Sequence, residues 1–137
     1  MQILIDAIAT KLLNSTVSED VGGRCYYDTA DSDGLPRLVY SIISAFPERT
    51  FSEHYHEVLI QFDLFSPVSA GRTAITTMYT DLIALFDECA LTITGYALVW
   101  MKEQNLITMV EDLSALQDGT NLLFHWAVDF EIRVSLN

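Results

Sequence analysis

The sequence predicts an α+β domain in which an antiparallel β-sheet carries two α-helices on one face. Residues 54–65 alternate, with apolar side chains at every even position from Val58 to Leu64. This is the pattern of a strand that is buried on one side. After Gly71 the apolar spacing becomes helical, over about four turns that end near Phe86. Because the connection is short, we expect this helix to fold back onto the apolar face of the strand.

Length and composition predict a single domain spanning residues 1–137. A chain of this size buries about two thirds of its unfolded surface. Half of its residues are hydrophobic, which argues against a disordered chain. Cys25 and Cys89 are too few for a disulfide framework, and we expect free thiols or small core residues, with a bridge between them as the alternative. No apolar run approaches the roughly 20 residues of a membrane-spanning helix, so no membrane partner is expected.

The first part of the chain predicts one helix, one short strand and a polar loop. Residues 3–13 carry an apolar stripe at helical spacing, and 24–28 predict a brief edge strand. The stretch 28–36 is rich in Asp, Ser, Gly and Pro and predicts a loop. Asp31 and Asp33 have the spacing of part of a calcium loop, but the glutamate that would complete it is absent. We therefore expect a solvated loop.

The middle of the chain predicts a second strand before the long one. Residues 37–44 have apolar side chains on both faces, which is typical of a central strand or of one that keeps a face for a partner. Residues 47–52 then predict a link. Ser66 and Pro67 are expected to end the 54–65 strand, because proline has no N–H for the ladder.

The segment after the helix is harder to divide into elements. Residues 91–95 predict a short strand and a turn, and 96–102 predict another strand. The stretch 106–116 fits either an extension of that strand or a short helical turn.

The last strand has the clearest pattern in the chain, with apolar residues at every even position across 122–136. It is more than twice as long as the usual five or six residues, so it must pair with another long strand. We expect 54–65 on one side and 96–101 on the other. Trp100 and Trp126 are expected in the core.

The charge balance argues against a nucleic-acid-binding surface. The net charge is −12, and the seven basic residues are spread singly along the chain. Neighbouring residues therefore form no basic patch that would bind phosphates. The acidic excess is expected to keep the protein soluble.

No residue pattern indicates a catalytic site, a cofactor or a bound metal. G-x-S-x-G, a glycine-rich phosphate loop and H-E-x-x-H are all absent. His54 and His56 could share a metal with His125 or a carboxylate, but two histidines without a stronger spacing signal favour solvated side chains at the start of a strand. The strand carboxylates predict a wet sheet face rather than paired catalytic acids. We therefore expect no enzyme.

Several segments together form a recognisable set: GRCYYD at 23–28, LPRLVYSI at 35–42, SEH at 52–54, VLIQFDLFS at 58–66, the helix 70–86 and the final strand 124–134. In content and order they resemble the small tail-completion, or tail-terminator, proteins of long-tailed bacteriophages and prophages. The resemblance covers nearly the whole chain, and residues 106–121 match it least.

The resemblance implies a structural virion protein with an antiparallel sheet and helices on one side. Such proteins form rings, commonly hexamers, at the head-proximal end of the tail tube, after assembly in the host cytoplasm. They end tube growth and provide the surface on which the head connector docks. The implied partners are other copies of the chain, the tail-tube protein and the connector or neck protein, while DNA passes through without specific binding.

A ring of this kind would need subunit contacts and a lumen. Exposed apolar positions mark interfaces, and the expected candidates on the strands are Tyr55, Leu59, Phe65, Val39 and Ile43. Carboxylates in or beside loops would repel the phosphates of passing DNA. The expected lumen-facing candidates are Asp31, Asp33, Glu48, Glu53, Glu111, Asp112 and Asp118.

Three alternatives to the terminator function remain open from the sequence. The first is a head–tail neck adaptor, which would share the ring and the virion location. The second is a cellular α+β module that binds a ligand or partner in the groove between sheet and helix. The third is a metal-dependent enzyme that uses His54 and His56.

Overall fold

The computed structural model describes residues 2–29, 34–49, 54–112 and 122–136, and it confirms the predicted α+β class. In chain order its elements are α1 (Gln2–Leu12), α2 (Thr16–Asp20), β1 (Cys25–Tyr27), β2 (Arg37–Arg49), β3 (His54–Pro67), a 3-10 turn (Val68–Ala70), α3 (Arg72–Phe86), β4 (Tyr96–Asp112) and β5 (Leu122–Leu136).

The five strands form one sheet in the order β1-β2-β3-β5-β4. Every neighbouring pair is antiparallel except β1 and β2, which run parallel over three residues. β3 lies in the middle, and it pairs with β5 from Tyr55 opposite Ser135 to Pro67 opposite Leu123. The expected neighbours of the last strand are therefore confirmed on both sides.

The core lies between one face of this sheet and the helices. The even-numbered side chains of β3 from Val58 to Leu64 are almost completely buried. They belong to the same cluster as Ile75, Met78, Leu82 and Phe86 of α3 and Leu4, Ile8 and Leu12 of α1. The apolar stripe of α3 thus packs on the apolar face of β3, as the two periodicities predicted.

A short third helix, α2, joins the two that were predicted. Ser15 caps this helix, since its hydroxyl accepts a hydrogen bond from the Ser18 N–H at 3.2 Å. Five residues are too few to show a helical period, although Val17 is buried in the core. In the described part of the chain, no helix has the length and hydropathy needed to cross a membrane.

Two strands are longer than predicted, and both include a proline: Pro47 lies within β2, and Pro67 is the last residue of β3. β2 continues to Arg49 where a link was expected from Pro47, and β3 continues to Pro67 where Ser66 was expected to end it. At both prolines only one side of the strand is paired. β1 reaches no further along β2 than Tyr40, and β2 begins only opposite Phe65 of β3. A missing N–H is tolerated in such half-paired positions.

The prediction for residues 91–112 is confirmed in part. The expected strand at 91–95 is only an isolated bridge between Ile93 and Tyr96, followed by the expected turn. Of the two alternatives for the stretch after 106, the extension of the strand is the correct one as far as Asp112, since residues 96–112 form one strand. β4 contains bulges at Val99 and Gln104. Each bulge switches which residues face the core, so the alternation breaks in the sequence while the strand continues.

Arg24 joins two of the segments that carry the family resemblance. Its Nε donates to the carbonyl oxygen of Pro36 at 2.8 Å, and its Nη2 donates to that of Leu35 at 3.0 Å. The Leu38 N–H in turn donates to the Arg24 carbonyl at 2.9 Å. The segment before β1 and the segment before β2 are therefore fastened together at the edge of the sheet.

We expect the contact between α3 and the sheet to dominate stability. Leu82→Ala removes a completely buried side chain and should cost about 2–5 kcal/mol of unfolding free energy. The matched control is Leu13→Ala, whose side chain is 71% exposed and should change stability by less than about 0.5 kcal/mol. Urea titrations at one protein concentration measure both, and equal effects would contradict this packing.

Two carboxyl groups meet where α2 packs against α3. Burial first, and then the hydrogen bond and the charge of Asp81, together raise the pKa of Asp20 to about 6. A carboxyl whose pKa is raised on folding stabilises the fold fully below its unfolded pKa of 3.8. That contribution is lost as pH rises through about 6.

Asp20→Asn should therefore remove a pH dependence of stability. The neutral amide cannot ionise, so we expect the variant to lose the fall in unfolding free energy that the raised pKa predicts for the wild type between pH 4 and pH 7. Denaturant titrations across this range measure it. Asp28→Asn, at an exposed carboxyl, serves as the control and should keep the wild-type profile. An unchanged profile in Asp20→Asn would contradict the proposed carboxyl pair.

Candidate functional site

The face of the sheet opposite the helices is not covered by any described helix. Residues paired directly across strands have their side chains on the same face of the sheet. The strand register therefore shows which side chains lie on this uncovered face. We call it the open face. Its charged and aromatic side chains are Arg37, Phe46, Tyr55, Glu57, Asp63, Phe65, Trp100, Lys102, Glu111, His125, Asp129, Glu131 and Arg133.

One end of the open face is organised around His125 of β5. Its Nε2 lies 2.7 Å from Oδ1 of Asp63 on β3, and its Nδ1 lies 2.7 Å from Oε1 of Glu111 on β4. The Phe65 ring stacks on the imidazole at a centroid distance of 4.3 Å, and the Arg37 guanidinium lies 4.8 Å from the centre of the Phe65 ring. This His125 cluster links four strands.

The geometry of the His125 cluster requires a charged imidazole. A neutral ring has one N–H and cannot donate to both carboxylates. The hydrogen bond to Asp63 is the largest cause that raises the pKa of His125, with Glu111 adding to it and burial opposing it. The imidazolium keeps no free nitrogen for proton transfer or metal binding. The cluster is therefore suited to hold β3, β5 and β4 together rather than to do chemistry.

The other end of the open face is organised around Arg133. Its guanidinium lies 4.4 Å from the centre of the Tyr55 ring and 5.1 Å from that of Trp100, and Nη1 is 3.4 Å from Oε1 of Glu57. Lys102 Nζ lies 4.5 Å above Trp100. The contacts of Arg133 and Lys102 with the aromatic rings are cation–π contacts, and the contact with Glu57 is an ion pair. The prediction that Trp100 lies in the core is wrong, because the bulge at Val99 places it opposite Arg133.

The centre of the open face carries Asp129. Burial and then the charge of Asp63 raise the pKa of its carboxyl, and its Oδ1 is buried without a hydrogen-bond partner. A shallow depression of about 490 Å³ lies across this region, between Phe46 of β2 and Asn105 of β4. On the helix side of the sheet, the space between α1 and the strands is about 50 Å³, well below the usual size of a ligand pocket, and an open depression of about 470 Å³ lies between α1 and residues 90–94.

The charges of the open face nearly balance. Five described carboxylates, those of Glu57, Asp63, Glu111, Asp129 and Glu131, face four cations, Arg37, Lys102, Arg133 and the protonated His125. The net charge of the chain is −12. Most of the acidic excess therefore comes from the helices and connections.

The predicted interface residues lie on or beside the open face. Val39, Tyr55, Leu59 and Phe65 point to it and are partly buried, while Ile43 sits at a bulge of β2 and is exposed. Tyr55 and Phe65 are already in contact with Arg133 and His125. Whether any of the five meets another subunit stays a prediction.

The predicted lumen residues are spread over several parts of the chain. Asp31, Asp33, Glu53 and Asp118 lie outside the described residues. Glu48 and Asp112 lie near the ends of β2 and β4. Glu111 is the one whose contacts are described, and its charge is compensated by His125. The lumen assignment stays a prediction.

The histidines and cysteines form no metal site within the described ranges. His56 packs edge-on against Tyr96, at a centroid distance of 5.9 Å. No three described His, Cys, Asp or Glu side chains converge as metal ligands, and the carboxylates of the His125 cluster lie on opposite sides of the ring. Cys25 and Cys89 are free thiols, so the alternative of a bridge between them is wrong.

The sheet also has two open edges, one along β4 and one along the part of β2 that the short edge strand β1 leaves uncovered. β1 pairs with only three residues of β2, and β4 is paired only with β5 among the described strands. Exposed apolar side chains concentrate on these two strands, namely Ile43, Phe46, Val99, Ile107 and Val110. Unpaired edges with apolar side chains are surfaces on which another strand can add.

Comparison with known proteins identifies solved structures of the same fold. The chain superposes on one chain of the virion of a native gene transfer agent particle with a TM-score of 0.68 at 11% identity, covering 95% of this chain and 92% of that one. A second solved structure, of a protein whose name carries no functional description, gives a TM-score of 0.61 at 12% identity and covers 96% and 94%. No protein-family model and no curated protein matches the sequence significantly.

We expect the imidazole of His125 to titrate above its ordinary pKa of 6.5. A histidine whose pKa is raised on folding stabilises the fold fully below its unfolded pKa, and this contribution is lost as pH rises through the folded pKa. His125→Gln should therefore flatten the fall in stability above pH 6.5. Asp63→Asn should lower the His125 pKa and cost about 1.5–3 kcal/mol, as for other hydrogen bonds to charged groups.

NMR titration of the imidazole signals measures the pKa, and denaturant titrations measure the stability. His56→Gln is the matched control and should leave the slope above pH 6.5 in place, since His56 contacts Tyr96 rather than this cluster. A His125 pKa below 6.5 would contradict the charged imidazole.

Proposed function

We propose that this chain is a structural virion protein of a phage-type particle that forms a ring at the head-proximal end of the tail tube. There it ends tube growth and joins the tail to the head connector. The observation that carries the proposal is the shared fold with a component of a gene transfer agent virion, over 95% of this chain and 92% of that one. Coverage this complete means that the whole domain, rather than one motif, has a counterpart in such a particle.

The sequence resemblance to tail-terminator proteins supports the same location. Two of its segments, 23–28 and 35–42, are held together by Arg24. The resemblance therefore falls on segments that make a common local structure. The ring is proposed as a hexamer of identical subunits, as in the family that the sequence resembles.

The site geometry supports a structural rather than a catalytic protein. The most elaborate polar group of the open face is the His125 cluster, whose ring nitrogens are both occupied by carboxylates. A general base needs a free nitrogen within reach of a substrate proton. The cluster joins side chains of four strands instead.

The charge distribution supports a lumen that DNA can pass. Since the open-face charges nearly balance, the surplus carboxylates lie on helices and connections, where the proposed lumen residues Asp31, Asp33, Glu53 and Asp118 are found in the sequence. Glu48 and Asp112 at strand ends belong to the same proposal. Carboxylates there would repel phosphates and prevent DNA from sticking. Glu111 contributes less, because His125 compensates it.

Capping of tail tubes is the test of the proposed function. Purified tail-tube protein from the same genome should polymerise into shorter tubes when this chain is present, and a tagged form of the chain should capture the tube protein. Negative-stain electron microscopy measures the tube lengths. An unrelated protein of similar negative charge controls for non-specific effects.

Each other outcome also has a defined meaning. Capture of the head connector without the tube protein would assign the neck adaptor instead. Unchanged tube lengths with neither protein captured would overturn both virion assignments.

A further inference from the structure

The free edge of β2 is a defined stretch of backbone. β1 lies beside Leu38, Val39 and Tyr40, and the Asp28 N–H donates to the Tyr40 carbonyl at 2.9 Å. Beyond that point β2 is paired only with β3 among the described strands, so residues 41–49 present an edge. Phe46 on this stretch is 62% exposed.

The free edge of β4 is also only part of the strand. Near its middle the Glu88 N–H donates to the Met101 carbonyl at 2.8 Å, and the Glu103 N–H donates to Oδ1 of Asp87 at 3.0 Å. The connection that follows α3 therefore already occupies this part of the edge. In the described part of the chain nothing comparable bonds to the outer side of residues 105–112.

The two free stretches match in length and direction. Residues 41–49 and 105–112 are of nearly equal length. Since β2, β3, β5 and β4 are successively antiparallel, β2 and β4 run in opposite directions. A second copy placed beside the first in the same orientation would therefore set its β2 antiparallel to β4. The helices of both copies would stay on the same side.

One register also matches the side chains. With Phe46 opposite Ile107, both lie on the open face, as do Ser44 and Met109 opposite each other. The same register brings Ile43 level with Val110. It thus places four of the exposed apolar residues of the two edges next to one another. Pro47 lacks one donor, which removes at most one hydrogen bond from the added ladder.

The edge of β4 carries little that would prevent pairing. Natural edges are protected by lysine, proline or inward-pointing charge. Residues 105–112 contain neither lysine nor proline, and the carboxylate of Glu111 is held by His125. This long exposed edge therefore presents backbone N–H and C=O groups to which a partner strand can bind.

We infer that copies of this chain join edge to edge, residues 41–49 of one copy adding antiparallel to residues 105–112 of the next. This contact uses different surfaces on the two copies, and such head-to-tail contacts generate closed rings when their rotation closes. The inference rests on the proposed ring function and supplies its subunit interface. Every copy then has both edges covered, and the sheet continues around the ring.

Cross-linking between two single-cysteine variants tests the contact. Phe46→Cys and Ile107→Cys are each made in a Cys25→Ala, Cys89→Ala background, mixed, and treated with a short bis-maleimide. Its reach covers a slip of two residues along the strand, about 7 Å. We expect a covalent dimer in the mixture and none with either variant alone. Phe46→Cys mixed with Val99→Cys should give none, because Val99 is 45% exposed but lies outside the free stretch.

A charge placed on the edge gives an independent readout in the wild-type background. Ile107→Lys should convert the oligomer to monomer in analytical ultracentrifugation, since the lysine would be buried against Phe46 of the neighbour. The matched control Val99→Lys should leave the oligomer intact. Far-ultraviolet circular dichroism of both variants confirms that they remain folded.

The remaining outcomes each decide against one proposal. A covalent dimer of Ile107→Cys alone indicates two-fold pairing of β4 with itself and overturns the head-to-tail contact. An unchanged oligomer in Ile107→Lys also overturns the head-to-tail contact. A wild-type chain that is monomeric at its highest soluble concentration does the same. If Ile107→Lys loses the oligomer as expected but the wild type neither caps tubes nor captures a connector, the edge contact stands and the virion function fails.

Discussion

Phe62 packs against three aromatic rings, each on a different element. It lies 5.9 Å from Tyr40 on β2, 5.5 Å from Phe130 on β5 and 5.0 Å from Phe86 on α3, measured between ring centres. The side chain is completely buried. The packing of Phe62 fixes which face of the central strand is covered. Because side chains alternate along strands, it also fixes which residues of the neighbouring strands remain uncovered.

The uncovered face is polar, yet it is held together by its own charges. His125 and Arg133 are each engaged by acidic and aromatic neighbours from adjacent strands. A sheet without a second layer loses the packing that would hold its strands on that side, and these contacts supply part of it. They also occupy both ring nitrogens of His125.

The two open edges of the sheet also bear on assembly. Covering one face with helices leaves the sheet with open backbone along part of β2, beyond the short edge strand β1, and along part of β4. The exposed apolar side chains are concentrated on these two strands. A closed ring removes edges without any additional secondary structure. The two matching edges fit the proposed ring, in which each subunit would be completed by copies of itself.

Periodicity in the sequence was enough to determine the class of the fold, the central strand, the helix that covers it and the long final strand. These are regular elements in which one face is buried without interruption, from Val58 to Leu64 and from Ile75 to Phe86. The sequence also placed His125 and Arg133 on a polar strand face, because alternation alone assigns them there.

Only the tertiary structure decided what happens at irregular positions and between distant strands. The bulges at Val99 and Gln104 hid the continuity of β4 and moved Trp100 to the open face, since a bulge shifts the alternation without a sequence signature. The His125 cluster needed β3 and β4 on either side of β5, a pairing across more than sixty residues of chain. Local sequence patterns show which side of a helix or strand is buried. The register of the strands determines which charged side chains meet across the sheet, and the register is fixed only when the strands pair.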